Sequence, residues 1–183
     1  GLLIGLLTLL KNRGEDRAFA LLNQANKKYE ATLGETNDPQ KAFEAVEKDF
    51  EHIVKEYSGY KGGQIARVEY ANYSYKAGEY DKSLELYQKS LDDFGDDPTY
   101  GNFILSGLAY SYAAKNNRES SARYFEKVAE SDSRILKDEA LFNLGRIYAE
   151  LGKDEKSVSA YSKLASEYPD SIYIDLIKDQ LKG

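Results

Sequence analysis

Residues 70–93 read YANYSYKAGEYDKSLELYQKSLDD, and their pattern recurs twice downstream. Aligning Gly78, Asn116 and Gly152 brings the copies into register. Seven residues before each stands Ala71, Ala109 or Gly145, and five after stands Ser83, Ser121 or Ser157. Nine after comes an aromatic: Tyr87, Phe125 or Tyr161. The turn residues lie 38 and then 36 apart. A period in the thirties, with small residues where two helices must approach closely, marks stacked helical hairpins. The stretch therefore predicts an all-α solenoid, with first helices over 64–77, 100–115 and 134–151 and second helices over 79–94, 118–130 and 154–167.

Upstream, Phe19, Leu22, Ala25, Tyr29 and Leu33 step by three and four, which predicts a helix from Glu15 to about Gly34. Asp38-Pro39 is an N-cap followed by a proline at the first helical position, opening a helix over 40–57. Val46, Phe50 and Ile53 stand there where Ser83, Tyr87 and Ser90 stand later, so residues 15–63 form a divergent first hairpin. Ser58-Gly59-Tyr60-Lys61-Gly62-Gly63 reads as a loop. Residues 64–170 hold the three repeats. Ile172, Ile174, Leu176, Ile177 and Leu181 predict a short amphipathic helix in 171–183, able to cover the last apolar face.

The opening GLLIGLLTLL is nearly all apolar, yet ten residues fall short of the roughly 20 that span a bilayer. It is read as the end of a truncated N-terminal membrane anchor, residues 1–14. A helix at the end of the array and a signal-peptide remnant are the alternatives. Lys11, Arg13 and Arg17 would suit a cytoplasmic flank, with orientation open.

Composition narrows the function. A net charge of −6 and a pI of about 5.0 argue against nucleic acid, which needs clustered basic surface. The absence of cysteine removes disulfides, thiolate metal sites and a thiol nucleophile. His52 is the single histidine and has no second ligand of its kind to join it. Asp92, Asp93, Asp96 and Asp97 lack the spacing and closing glutamate of a calcium loop. Gly59, Gly62 and Gly63 precede no Lys-Ser/Thr pair, so no phosphate loop is present. Asn72-Tyr73-Ser74 fits a glycosylation sequon but falls inside a predicted helix. No enzyme, cofactor or metal site is expected.

The repeats resemble the tetratricopeptide repeat (TPR) family. The match runs through Leu144-Gly145, Tyr148, Gly152, Ser157, Tyr161 and Pro169, through Ala71, Gly78, Tyr80, Ser83, Tyr87 and Ser90, and through Leu108-Ala109, Tyr112, Ser121 and Phe125. Serine at three positions where the family has alanine is a departure. The resemblance implies a right-handed solenoid whose first helices line a concave, protein-binding groove. Carried over position by position, the groove would comprise Val68, Asn72, Tyr75 and Lys76, then Ser106, Tyr110 and Ala113, then Phe142, Asn143, Arg146 and Glu150. Tyrosines offer contact area at low entropy cost, and asparagines can hydrogen-bond an extended backbone. Lys76 and Arg146 are too few cations for a clamp on a chain-end carboxylate. SEYPDSIYID and KEYSGYKGG resemble bacterial cell-envelope members, and with one apolar N-terminus the architecture is similar to ancillary SecYEG translocon subunits. That resemblance implies an inner-membrane protein with a periplasmic repeat domain, and the translocon or periplasmic chaperones as partners. The alternative is a structural subunit of a larger assembly that packs its apolar N-terminus against neighbours.

Overall fold

The computed structural model describes the backbone of residues 2–181 and the side chains of residue 4 and residues 6–181. Regular structure among them is helical: α1 Leu2–Thr36, α2 Pro39–Glu56, α3 Lys61–Lys76, α4 Tyr80–Phe94, α5 Tyr100–Ala114, α6 Arg118–Glu130, α7 Lys137–Glu150, α8 Asp154–Glu167 and α9 Ile174–Ile177, with a 3-10 turn over Lys178–Leu181. The chain divides into two compact units, residues 1–93 and 94–183.

In the first unit, Ala18, Leu22, Ala25 and Tyr29 of α1 are buried together with Ala42, Phe43, Val46, Phe50 and Ile53 of α2 and Ala66, Tyr70, Ala71 and Tyr73 of α3. Each set steps by about one helical turn, giving each helix a single buried stripe. Tyr29 and Tyr73 stack at 3.6 Å and 12°, and the Tyr73 hydroxyl donates to Asn26 Oδ1 at 3.1 Å. Asp38 caps α2, its carboxylate accepting from the Gln40 and Lys41 amides.

α3 begins at Lys61, inside the segment read as a loop. Tyr60 supplies no side-chain cap. Glu15 of α1 does so instead, accepting from the Lys61 amide at 2.9 Å and the Gly62 amide at 3.3 Å. The glycines serve close approach. A Cβ at Gly62 would lie 2.8 Å from the Ala18 methyl, and one at Gly63 would lie 1.8 Å from the Tyr57 carbonyl oxygen.

The apolar N-terminal stretch is not a membrane span. Gly1 and the side chains of Leu2 and Leu3 lie outside the described residues, but from Leu2 the backbone belongs to α1, whose later turns build the first hairpin. The run turns charged at Lys11, and no helix among the described residues is long and apolar enough to cross a membrane. The expected placement as a bacterial inner-membrane anchor with a periplasmic repeat domain is therefore overturned. Ile4, Leu6, Leu7, Leu9 and Leu10 are instead exposed on the first turns of a solenoid helix.

In the second unit the core joins Ala109, Ala122, Phe125, Val128, Leu141, Leu144, Tyr148, Tyr161, Leu164 and Ile177. The α5–α6 and α7–α8 turns pass through left-handed residues, Asn116 at φ 59° and Gly152 at φ 66°. Asparagine takes this region more readily than other side chains, so it replaces the turn glycine at little cost. Gly145 lets the Tyr161 ring lie against the α7 backbone: a Cβ there would be 2.3 Å from Tyr161 Cε1. Asn102 fastens the α6–α7 loop, its amide donating to Ser131 Oγ at 2.9 Å, Ile135 O at 2.7 Å and Ser133 O at 3.4 Å. At the end of the chain Ile177 is fully buried and Tyr173 stacks on Phe142 at 4.6 Å and 16°. Lys182 and Gly183 lie outside the described residues.

Candidate functional site

The groove residues carried over from the repeat register separate by unit. On α3, Val68, Asn72 and Tyr75 are half-buried and Lys76 is exposed. Tyr75 lies 5.6 Å from the Tyr80 ring, and Lys76 sits 5.7 Å from the Tyr73 ring centre.

In the second unit Tyr110, Ala113, Asn143, Arg146 and Glu150 line one cleft of about 190 Å³, together with Arg118, Phe125 and Ile147. Ser106 and Phe142 are not among its walls. Ser106 is buried, and its hydroxyl has no hydrogen-bond partner among the described residues. Phe142 is packed beneath Tyr173.

α5 and α7 supply one end of the cleft. Tyr110 meets Phe125 edge-on at 5.1 Å, and its hydroxyl donates to Glu139 Oε1 at 2.6 Å. The Asn143 amide donates to Tyr110 Oη at 2.9 Å and to the Glu139 carbonyl at 3.0 Å. The Tyr173 hydroxyl reaches the other Glu139 oxygen at 3.4 Å. One carboxylate is thus held by tyrosines from both sides. Burial pushes the Tyr110 phenol well above its ordinary range; Glu139 adds to the rise, and Asn143 opposes it.

The other end is ionic. Arg118 Nε donates to Glu150 Oε2 at 2.5 Å, and Arg118 Nη1 donates to the Ala113 carbonyl at 2.8 Å. Arg146 Nη2 lies 3.8 Å from Glu150 Oε1, and the guanidinium is 5.9 Å from the Phe142 ring centre. Its side chain is 55% exposed. An aromatic and aliphatic floor with amide and guanidinium walls suits the side chains and backbone of a peptide. Among the described residues no three His, Asp or Glu side chains converge as a metal cage.

Arg118, Phe125 and Glu139 were missed in the sequence. The family resemblance points only to the concave positions of first helices, whereas Arg118 and Phe125 come from the second helix α6. Arg118 could have been found: it follows the turn at Asn116-Asn117, one helical turn from the α5 end it bonds.

A tetratricopeptide repeat family model matches residues 139–171. A TPR repeat-containing protein of Methanocaldococcus jannaschii is 26% identical over 170 residues, covering 91% of this chain and 29% of that protein. The chain thus spans under a third of that relative's length. A solved tetratricopeptide repeat protein from Parabacteroides merdae superposes with a TM-score of 0.69 at 13% identity, over 89% of this chain and 59% of its own. A putative kinesin light chain TPR-like repeat structure from Podosopora anserina gives 0.65 at 15% identity, over 85% of this chain and 76% of its own. At these identities the likeness speaks for fold. The chain has an all-α, TPR-like solenoid fold, and its residues 139–171 match the tetratricopeptide repeat family model.

Proposed function

We propose that the protein is a non-catalytic scaffold that holds a segment of a partner protein, and that the segment enters the cleft between Tyr110 and Glu150. The observation that carries this reading is the cleft itself, where Tyr110, Asn143, Arg146 and Glu150 meet over an apolar floor. At about 190 Å³ it lies below the roughly 300 Å³ at which small-molecule pockets begin, a size for one or two side chains. Tyr110 and Asn143 are fixed by bonds to Glu139 before any partner arrives, so binding avoids part of the ordering cost. Val68, Asn72, Tyr75 and Lys76 of α3 would supply a further contact surface in the first unit. The partner is a protein or peptide; translocon and chaperone identities follow from the resemblance alone.

The test is photocrosslinking from Ala113 and Glu150 in cells, with and without Arg146→Glu. A defined protein adduct that disappears with Arg146→Glu is expected. Adducts indifferent to that change would refute the cleft as the binding surface. A second reading, a structural subunit, is favoured by the exposed Ile4, Leu6, Leu7, Leu9 and Leu10. It predicts oligomers on sizing that dissociate when Leu6 and Leu9 become serine, and a monomer at the start would exclude it.

A further inference from the structure

We infer that the cleft reads an acidic residue in an extended partner segment, through that residue's own amide N–H at Asn143 and its side-chain carboxylate at Arg146. The inference rests on the cleft reading proposed above and follows from a chain of forced hydrogen-bond directions. A carboxylate only accepts, so at 2.6 Å from Glu139 Oε1 the Tyr110 hydroxyl must be the donor. Its single proton is then used, so the 2.9 Å contact with Asn143 must run from Nδ2 to Tyr110 Oη. The Glu139 backbone carbonyl also only accepts, and at 3.0 Å it takes the second Nδ2 hydrogen. Turning the amide over would set its oxygen against that carbonyl, so the assignment is not reversible.

Both Asn143 donors are therefore committed inside the protein. What Asn143 can offer a ligand is Oδ1, an acceptor that no donor reaches among the described residues. An asparagine with a free amide can pair with both the N–H and the C=O of a peptide unit. This one takes only the N–H, and a carbonyl placed there would meet oxygen with oxygen.

Arg146 follows three residues later, on the same face of α7 and about 5–6 Å away between Cβ atoms. A guanidinium has donors only. The 3.8 Å gap to Glu150 is too long for a hydrogen bond, and Arg118 already holds the other Glu150 oxygen. Arg146 thus keeps its fork for an incoming acceptor. An N–H followed within a few ångströms by a carboxylate is what one aspartate or glutamate presents within a chain.

The experiment is an NMR titration of the full chain with the peptide Ac-Gly-Leu-Asp-Leu-Gly-NH2 at millimolar concentration. Three counterparts carry Asn in place of Asp, an N-methylated Asp, or a free C-terminus. The Asp peptide is expected to shift the Asn143 side-chain amide and the Arg146 guanidinium. The Asn and N-methyl peptides should each bind about tenfold or more weakly, the loss expected for one charge-assisted or buried hydrogen bond. Arg146→Ala, at an exposed position, should erase the preference for Asp over Asn while leaving the backbone spectrum unchanged. Equal binding of the N-methyl peptide overturns the inference and leaves the cleft reading standing. Tighter binding of the free-C-terminus peptide, regardless of Asp, overturns it in favour of chain-end recognition. If no peptide moves a cleft resonance, both readings fall.

Discussion

Ser121 and Ser157 occupy the same repeat position, five residues after the turn, and both are buried. Their hydroxyls differ. Ser157 Oγ donates to the Gly145 carbonyl across the hairpin at 2.7 Å, whereas Ser121 Oγ has no partner among the described residues. Alanine should therefore act with opposite sign at the two sites. At Ser121 it removes a desolvated, unsatisfied hydroxyl, which costs about 1–3 kcal/mol, and it adds about 0.5 kcal/mol of helix propensity. Ser121→Ala is expected to stabilise by about 1–3 kcal/mol. At Ser157 it removes a hydrogen bond worth about 0.5–1.5 kcal/mol, against the same propensity gain, and Gly145 O keeps its intrahelical partner. Ser157→Ala should destabilise by up to about 1 kcal/mol. Urea unfolding followed by circular dichroism separates them. At a slope near 2 kcal/mol/M each kcal/mol moves the midpoint by about 0.5 M, upward for Ser121→Ala and downward for Ser157→Ala. Shifts of the same sign with unchanged slopes would refute the assignment of the two hydroxyls.

Three further outcomes can be checked. Gly63→Ala should destabilise more than Gly145→Ala, because the Tyr57 backbone blocks the first and a side-chain ring the second; Gly145→Ala should cost about 1–3 kcal/mol, and a thermal melt that ranks them otherwise contradicts the close approach at α3. Asn102→Ala should lose about 1–3 kcal/mol and speed amide exchange in residues 131–136, while unaltered exchange there would show that the loop does not depend on this amide. Burial pushes the phenols of Tyr73, Tyr87, Tyr110 and Tyr148 well above the ordinary value of about 10. The unfolded chain then releases their protons first, so stability should hold below about pH 10 and fall as pH rises beyond it. Absorbance at the phenolate band should rise together with loss of helix; smooth titration without unfolding would contradict the burial.

The helical hairpins were legible because their signal is local and repeated. Gly152 and Asn116 sit where the backbone turns left-handed, and Gly145 sits where a ring meets a helix. Such demands leave a mark at a fixed offset. The start of α3 was not legible because its cap, Glu15, lies 46 residues from Lys61 in sequence, and the glycines of the first turn imitate a loop. The apolar start misled because composition speaks of surroundings, whereas whether a stretch continues into a hairpin helix depends on the residues after it. At the cleft, Tyr110, Asn143, Arg146 and Glu150 come together from α5 and α7, but register could not foresee that Tyr173 would cover Phe142 or that α6 would close the wall.

Repeat arrays invite the view that each hairpin is a removable module. The Glu15 contact denies that here for the first two. Because α3 borrows its opening bonds from α1, the third helix has no complete start of its own and must wait for the first to dock. Deleting residues 1–36 would therefore shorten α3 as well as strip its neighbour, and the earliest folding unit should hold α1, α2 and the head of α3 together. Within this part of the chain, evolution can lengthen or shorten the array only in steps larger than one hairpin.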